Sequence, residues 1–207
     1  MESLPGPTIA SLIAGRTLDA ETAALVWLLG EGGLPLTVAS AGVDSEREGV
    51  AAALGDLVPP AGSRPVALRG DSIEQVLARL TRRPLPLLGG AATPAPGARP
   101  GVVLILRGGR LVALHLVRPP LRDAGGHVQR QRPAVLATYD ERNGDWDHFA
   151  WGIAPEIAGL IGLRAGDVEP EIARRAEYLG GLVGAGVADP EGVRAALVGY
   201  RQGAARA

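Results

Sequence analysis

Apolar residues along this chain change their spacing several times, and each change marks a different element. Residues 18–32 (LDAETAALVWLLGEG) carry an apolar stripe through Ala23, Val26, Trp27 and Leu28, which predicts a helix. Asp19 is placed to cap its start, and Gly32 and Gly33 to end it. The following run, LPLTVAS at 34–40, is short and continuously apolar, as suits a buried parallel strand. A polar loop, AGVDSE, leads into a second helix reaching about Leu57, where Pro59 and Pro60 stop it. RPVALRG then reads as a strand and DSIEQVLARL as a helix capped by Asp71 or Ser72. Alternation of strand and helix predicts a layered α/β fold.

The second half has a different rhythm. Between Pro84 and Pro100 the chain turns to Pro, Gly and Ala, the composition of a linker or loop. Two apolar runs flank Gly108-Gly109 in VVLILRGGRLVALHLV, predicting a hairpin with a two-residue turn. A second hairpin is expected in AVLATYDERNGDWDHFAW, bending at Asn143-Gly144. Beyond Pro155 the pattern is helical, with Pro155, Pro170 and Pro190 each set where a first helical turn would begin. The expected organisation is an α/β core at 1–83, a linker or loop at 84–100, and hairpins plus helices at 101–207 packed on the same core.

Composition narrows the chemistry. The chain has 207 residues with 21 basic against 22 acidic side chains, so no long-range field favours a polyanion or an acidic membrane. It has no cysteine, which removes disulfides, thiolate metal sites and cysteine nucleophiles. Every basic residue is arginine, so no lysine Schiff base, lysine general base or phosphate-binding lysine exists. The first residues lack the features of a signal peptide, and no run approaches the roughly 18–20 apolar residues of a membrane span. A cytoplasmic location is expected on those grounds.

The strand, polar loop and helix at 34–57 stand where a phosphate-binding loop would lie. Around them, the segment from Thr8 to Pro60, with TLDAETAALVWLL before the strand and LVPP closing the helix, resembles the motor ATPases of type II and type IV secretion, pilus and archaellum assembly. DSIEQVLARL is similar to the helix after that family's histidine box. YDERNGDWDHFAWG and EIARRAEYLGGLVGAGVADPEGVRAALVGY are similar to its tail. The resemblance implies a truncated, RecA-like P-loop sheet extended by antiparallel hairpins and a C-terminal helical segment.

The departures from that family bear on function. Its loop has the form GxxxxGKT, and the corresponding stretch runs from Ala41 to Glu48. Gly42 and Ser45 remain as small loop residues. Glu46 replaces the second glycine, Arg47 the lysine, and Glu48 the magnesium-binding hydroxyl. A phosphate cradle needs free backbone N–H groups, a compact ammonium and a hydroxyl on Mg²⁺. Asp44, Glu46 and Glu48 instead put carboxylates where phosphates would sit, and the planar fork of Arg47 is a poor substitute for a point charge. Only a short stretch separates Pro60 from Asp71, where the family has its acidic box, Walker B carboxylate and arginine fingers. Arg69 stands where the family has histidine, and the family's large N-terminal domain has no counterpart.

The remaining candidates are weaker. His115, His127 and His148 fall on three separate β-rich stretches, and no two share helical i, i+4 spacing, so no metal is expected. Arg118, Arg122, Arg130 and Arg132 form a modest basic stretch without the interleaved aromatics of a nucleic-acid surface. Tyr139, Trp146, Phe149 and Trp151 read as cross-strand packing. The expectation is therefore a non-catalytic, motor-ATPase-like protein without a cofactor. It would act through protein contacts, with itself or with an intact motor ATPase. The alternatives are a nucleotide-binding protein or weak ATPase with an altered loop, using Gly42, Ser45, Arg47 and Glu48, and a nucleic-acid-binding module.

Overall fold

The computed structural model describes residues 6–60, 62–82, 101–123 and 125–204. The Pro/Gly/Ala stretch expected as a linker at 84–100 lies outside these residues. Seven α-helices are described: α1 (Ile9–Ala14), α2 (Ala20–Glu31), α3 (Asp44–Gly55), α4 (Ile73–Arg82), α5 (Ala154–Ile161), α6 (Ala165–Gly184) and α7 (Pro190–Ala204). The strands are β1 (Leu36–Ser40), β2 (Val66–Arg69), β3 (Gly101–Arg107), β4 (Arg110–Val117), β5 (Leu121–Arg122), β6 (Val128–Gln129), β7 (Ala134–Asp140) and β8 (Asp145–His148).

Six strands form one open, mixed sheet in the order β2-β1-β3-β4-β7-β8, and β5 and β6 form a separate two-stranded ribbon. β1 is parallel to both of its neighbours, β2 and β3, while β3-β4, β4-β7 and β7-β8 are antiparallel. The mixed α/β character expected from the sequence is present, with parallel strands in the first half and hairpins in the second.

Strand alternation divides the core in two. Val102, Leu104 and Leu106 of β3 face a large cluster built from α1, α2, α3 and the C-terminal helices. Val103 and Ile105 face the other way, against Val76, Ile73 and Leu80 of α4. β1 is therefore buried on both sides, which explains its unbroken apolar run. α2 lies between the sheet and α6 and is buried on nearly every side, including Trp27. A helix enclosed this way needs no polar face. Among the described residues, α4 is covered on one face only.

Local signals set most boundaries. Asp19 accepts from the Thr22 N–H at 2.8 Å and caps α2. Gly108 and Gly109 both have positive φ, as a two-residue turn matched to strand twist requires. Asp189 accepts from the Gly192 N–H at 2.7 Å, so Pro190 opens α7 as its position predicts. Pro155 likewise lies in the first turn of α5.

Several features differ from the sequence expectation. Pro170 does not start a helix; it lies inside α6, which begins at Ala165. Burial of Val168 and Ile172 against the core outweighs the lost backbone hydrogen bond. α1 was not foreseen, although Thr8 and Ser11 cap it reciprocally. His127 lies in the turn before β6, outside any strand. At β4-β7 the register shifts, so that Leu114 faces Ala137 and His115 faces Val135. The extra residue, Leu136, turns inward beside Ala137, and Val135 is left exposed.

Candidate functional site

Of the four residues that the sequence singles out as phosphate-loop remnants, Gly42 lies in the turn joining β1 to α3, and Ser45, Arg47 and Glu48 lie in the first turns of α3. β1 ends at Ser40, whose Oγ accepts from the Gly42 N–H at 2.9 Å. That bond closes a tight turn and occupies the Gly42 amide. α3 then begins at Asp44, with Asp44 and Glu46 in its first turn. Carboxylates there complement the helix dipole and leave no excess positive potential for an incoming anion.

Arg47 is the centre of the arrangement. It is only 5% exposed. Its Nη1 donates to the carbonyl of Ser40 at 3.2 Å and to that of Gly42 at 2.7 Å, and Nη2 is paired with Asp44. The guanidinium thus lies under the turn and ties both of its ends together. Its Nε has no partner among the described residues. A fork held at three points on its own loop is not available to reach outward.

Glu46 closes the other side. Its Oε2 lies 3.1 Å from where a Cβ on Gly42 would stand, and its Oε1 lies 3.7 Å from the equivalent point on Gly109. The carboxylate therefore sits between the loop and the β3-β4 turn, with Oε1 buried and without a hydrogen-bond partner among the described residues. Ser45 and Glu48 are exposed and do not converge. Ser45 borders a hollow with Glu46, Gly108 and Gly109, whereas Glu48 borders a different one with Arg69 and Arg79. Gly42 and Arg47 are joined by a hydrogen bond, while Ser45 and Glu48 look onto different surroundings.

A second polar cluster was not legible in the sequence. His148 Nε2 lies 2.8 Å from Asp19 Oδ2, and its Nδ1 lies 3.6 Å from Glu21 Oε1. Burial by itself would lower the imidazole pKa. The Asp19 hydrogen bond, with the charges of Asp19, Glu21 and Asp145, outweighs it and raises the pKa above its ordinary value. Asp19 shows the reverse balance: burial pushes it up, but bonds from His148 and Thr22 carry it below the usual carboxylate value. His115 is lowered by burial, against the opposing charge of Glu74. The histidines are thus dispersed, and no group of three metal-capable side chains occurs among the described residues.

The other candidates are also accounted for locally. Arg118 forms a two-pronged pair with Glu156, with contacts of 2.8–3.1 Å, which neutralises that member of the basic stretch. Tyr139 and Trp146 are direct cross-strand partners with ring centroids 4.9 Å apart. Phe149 and Trp151, grouped with them by sequence, are exposed and do not join that pair. No helix among the described residues is long and apolar enough to cross a membrane.

No model of a known protein family matches the chain, and no curated protein matches it significantly.

Proposed function

We propose that this chain is a non-catalytic relative of the secretion, pilus and archaellum motor ATPases, and that it works through protein–protein contacts. The observation that carries this reading is the occupied loop: Arg47 bonds Ser40, Gly42 and Asp44, and Glu46 lies against Gly42. A nucleotide would have to displace a charge-assisted network and bring phosphates against the carboxylates of Asp44 and Glu46. Further support comes from the order β2-β1-β3, with α3 springing from the carboxyl end of the middle strand. That arrangement is compatible with a RecA-like sheet reduced on one side and extended by hairpins on the other. Contacts with a second copy or with an intact motor are the activity left to such a scaffold.

The reading is tested by thermal unfolding with and without Mg·ATP, with a non-hydrolysable analogue alongside. A ligand at about 100 times its Kd adds roughly 2.7 kcal/mol of stability. The expected result is an unchanged midpoint at millimolar nucleotide. A clear upward shift would revive the altered-loop nucleotide site. Sedimentation of the protein alone and with a co-encoded motor ATPase addresses the contacts. A monomer that ignores the motor counts against them.

A further inference from the structure

β2 is an edge strand, and its free side runs between two helices on opposite faces of the sheet. α3 packs on one face and α4 on the other, so the edge lies at the bottom of a groove. The Gly70 N–H donates to Ser40 O at 3.1 Å. With Ser40 opposite Arg69, that bond fixes which β2 groups face β1. In a parallel ladder, residues alternate between bonding the neighbour and pointing away. The N–H and C=O of Ala67 and Arg69 therefore point out of the sheet, where no strand among the described residues receives them.

Arginines outnumber unpaired carboxylates along this edge. Arg64 borders the groove near the start of β2, and Arg69 and Arg79 border it toward the other end. Of the acidic residues beside them, Asp44 is taken by Arg47. Asp56 lies under the fields of Arg194 and Arg201. Glu48 and Asp56 thus line these hollows against three arginines, and none of the five side chains has an ion-pair partner among the described residues. Short strands and flanking charge are how proteins keep an edge from pairing indiscriminately. The same charge selects a partner that neutralises it. Carboxylates spaced along an extended chain do so, and their backbone can take up the outward groups of Ala67 and Arg69.

We propose that the β2 edge is the docking groove for an extended, acidic segment of a partner protein, which adds to the sheet as a strand and sets its carboxylates against Arg64, Arg69 and Arg79. The inference rests on the contact reading above and names the chemistry of the partner.

The probe is an acetylated, amidated pentapeptide of alternating glutamate and valine, titrated into the full ¹⁵N-labelled chain and followed by amide and arginine Nε–H resonances. Saturable shifts are expected at Ala67 and Arg69. Affinity should fall by at least about tenfold with lysine in place of glutamate in the peptide, and likewise in R69Q/R79Q. Ala67→Pro removes an outward N–H without touching the bonds to β1, and should also weaken binding by about tenfold. Glu48→Gln should tighten it. Should Ala67→Pro fail to fold, the arginine variant carries the test alone. Equal binding of the lysine peptide, indifference to R69Q/R79Q, or no saturation at millimolar peptide would overturn the proposal. So would inorganic phosphate producing the same shifts and displacing the peptide, because that would mark a simple anion pocket. Stabilisation of the same sample by Mg·ATP sinks the contact reading itself. A negative peptide result without nucleotide binding sinks only the edge inference.

Discussion

Arg47 and His148 each reach their role through partners, and only one of them advertises it in sequence. Arg47 bonds groups within seven residues of itself, so its position in the loop already points to the turn it holds. What the residue types do not reveal is the direction of the fork, which turns inward onto carbonyls. His148 pairs with Asp19 across 129 positions, and nothing near either residue signals the other. The pairing has a pH signature. A histidine whose folded pKa is raised contributes stability that is full below its unfolded value near 6.5 and is lost as pH rises through the folded value. The lowered Asp19 contributes above about 3.8 and loses its share as pH falls through the depressed folded value. The pair is thus fully expressed between those two unfolded values, around pH 4 to 6.5. His115, with a lowered pKa, works oppositely and favours the higher pH side. His148→Gln should therefore reduce the unfolding midpoint most near pH 6 and progressively less toward pH 9. A pH-independent loss in a series of thermal melts would show that the charge on His148 contributes nothing.

At the level of elements, the C-terminal helices are fastened to α2 by one carboxylate and a set of rings. Glu31 at the end of α2 receives Arg175 of α6 at 2.6 Å, Arg201 of α7 at 2.8 Å and the Trp27 indole N–H at 2.7 Å. Trp27 lies 4.8 Å from Tyr200 and 6.3 Å from Tyr178 between ring centroids, and the two tyrosines are 4.6 Å apart. Arg201 also donates to the carbonyls of Asp56 and Leu57, which ties α7 to the end of α3. Glu31→Ala would leave a buried guanidinium and an indole N–H short of partners, at a cost of about 2–4 kcal/mol. At roughly 2–4 °C per kcal/mol for a chain of this size, a calorimetric midpoint falls visibly. An unchanged midpoint would mean that the aromatic packing alone holds these helices. The helices were legible as periodic apolar runs, and Trp27 as part of a stripe. Their common anchor was not, because a lone Glu near a helix end reads as a solvated residue until α6 and α7 are laid across it.

Across the whole molecule, burial is uneven. β1, β3 and β4 run through the middle of the six-stranded sheet, with the major cluster on one face and a smaller one on the other. The β5-β6 ribbon is only two residues per strand, and both Leu121 and Val128 are exposed. Amides open with free energies that track local burial and ladder closure. Hydrogen exchange should accordingly be slowest at Val38, Leu104 and Leu114 and fastest, among the strands, at Val128 and Gln129. Protection of the ribbon equal to that of β3 would indicate that it is covered in solution by something else, such as a second copy.

The sequence by itself determined most of the elements and several of their caps, because the signals involved span a few residues. Asp19, Asp189, Gly108-Gly109 and the apolar periodicities each act within a turn or two. It also determined which residue types stand between β1 and the start of α3, and hence that no lysine is present there. The tertiary structure alone decided that α6 starts before Pro170, that Glu31 collects two arginines, that His148 meets Asp19, and that β2 has, among the described residues, no strand on its outer side. Each of these depends on which distant segments become neighbours. Apolar burial sets that arrangement for the chain as a whole, and polar groups then find partners wherever packing has brought them.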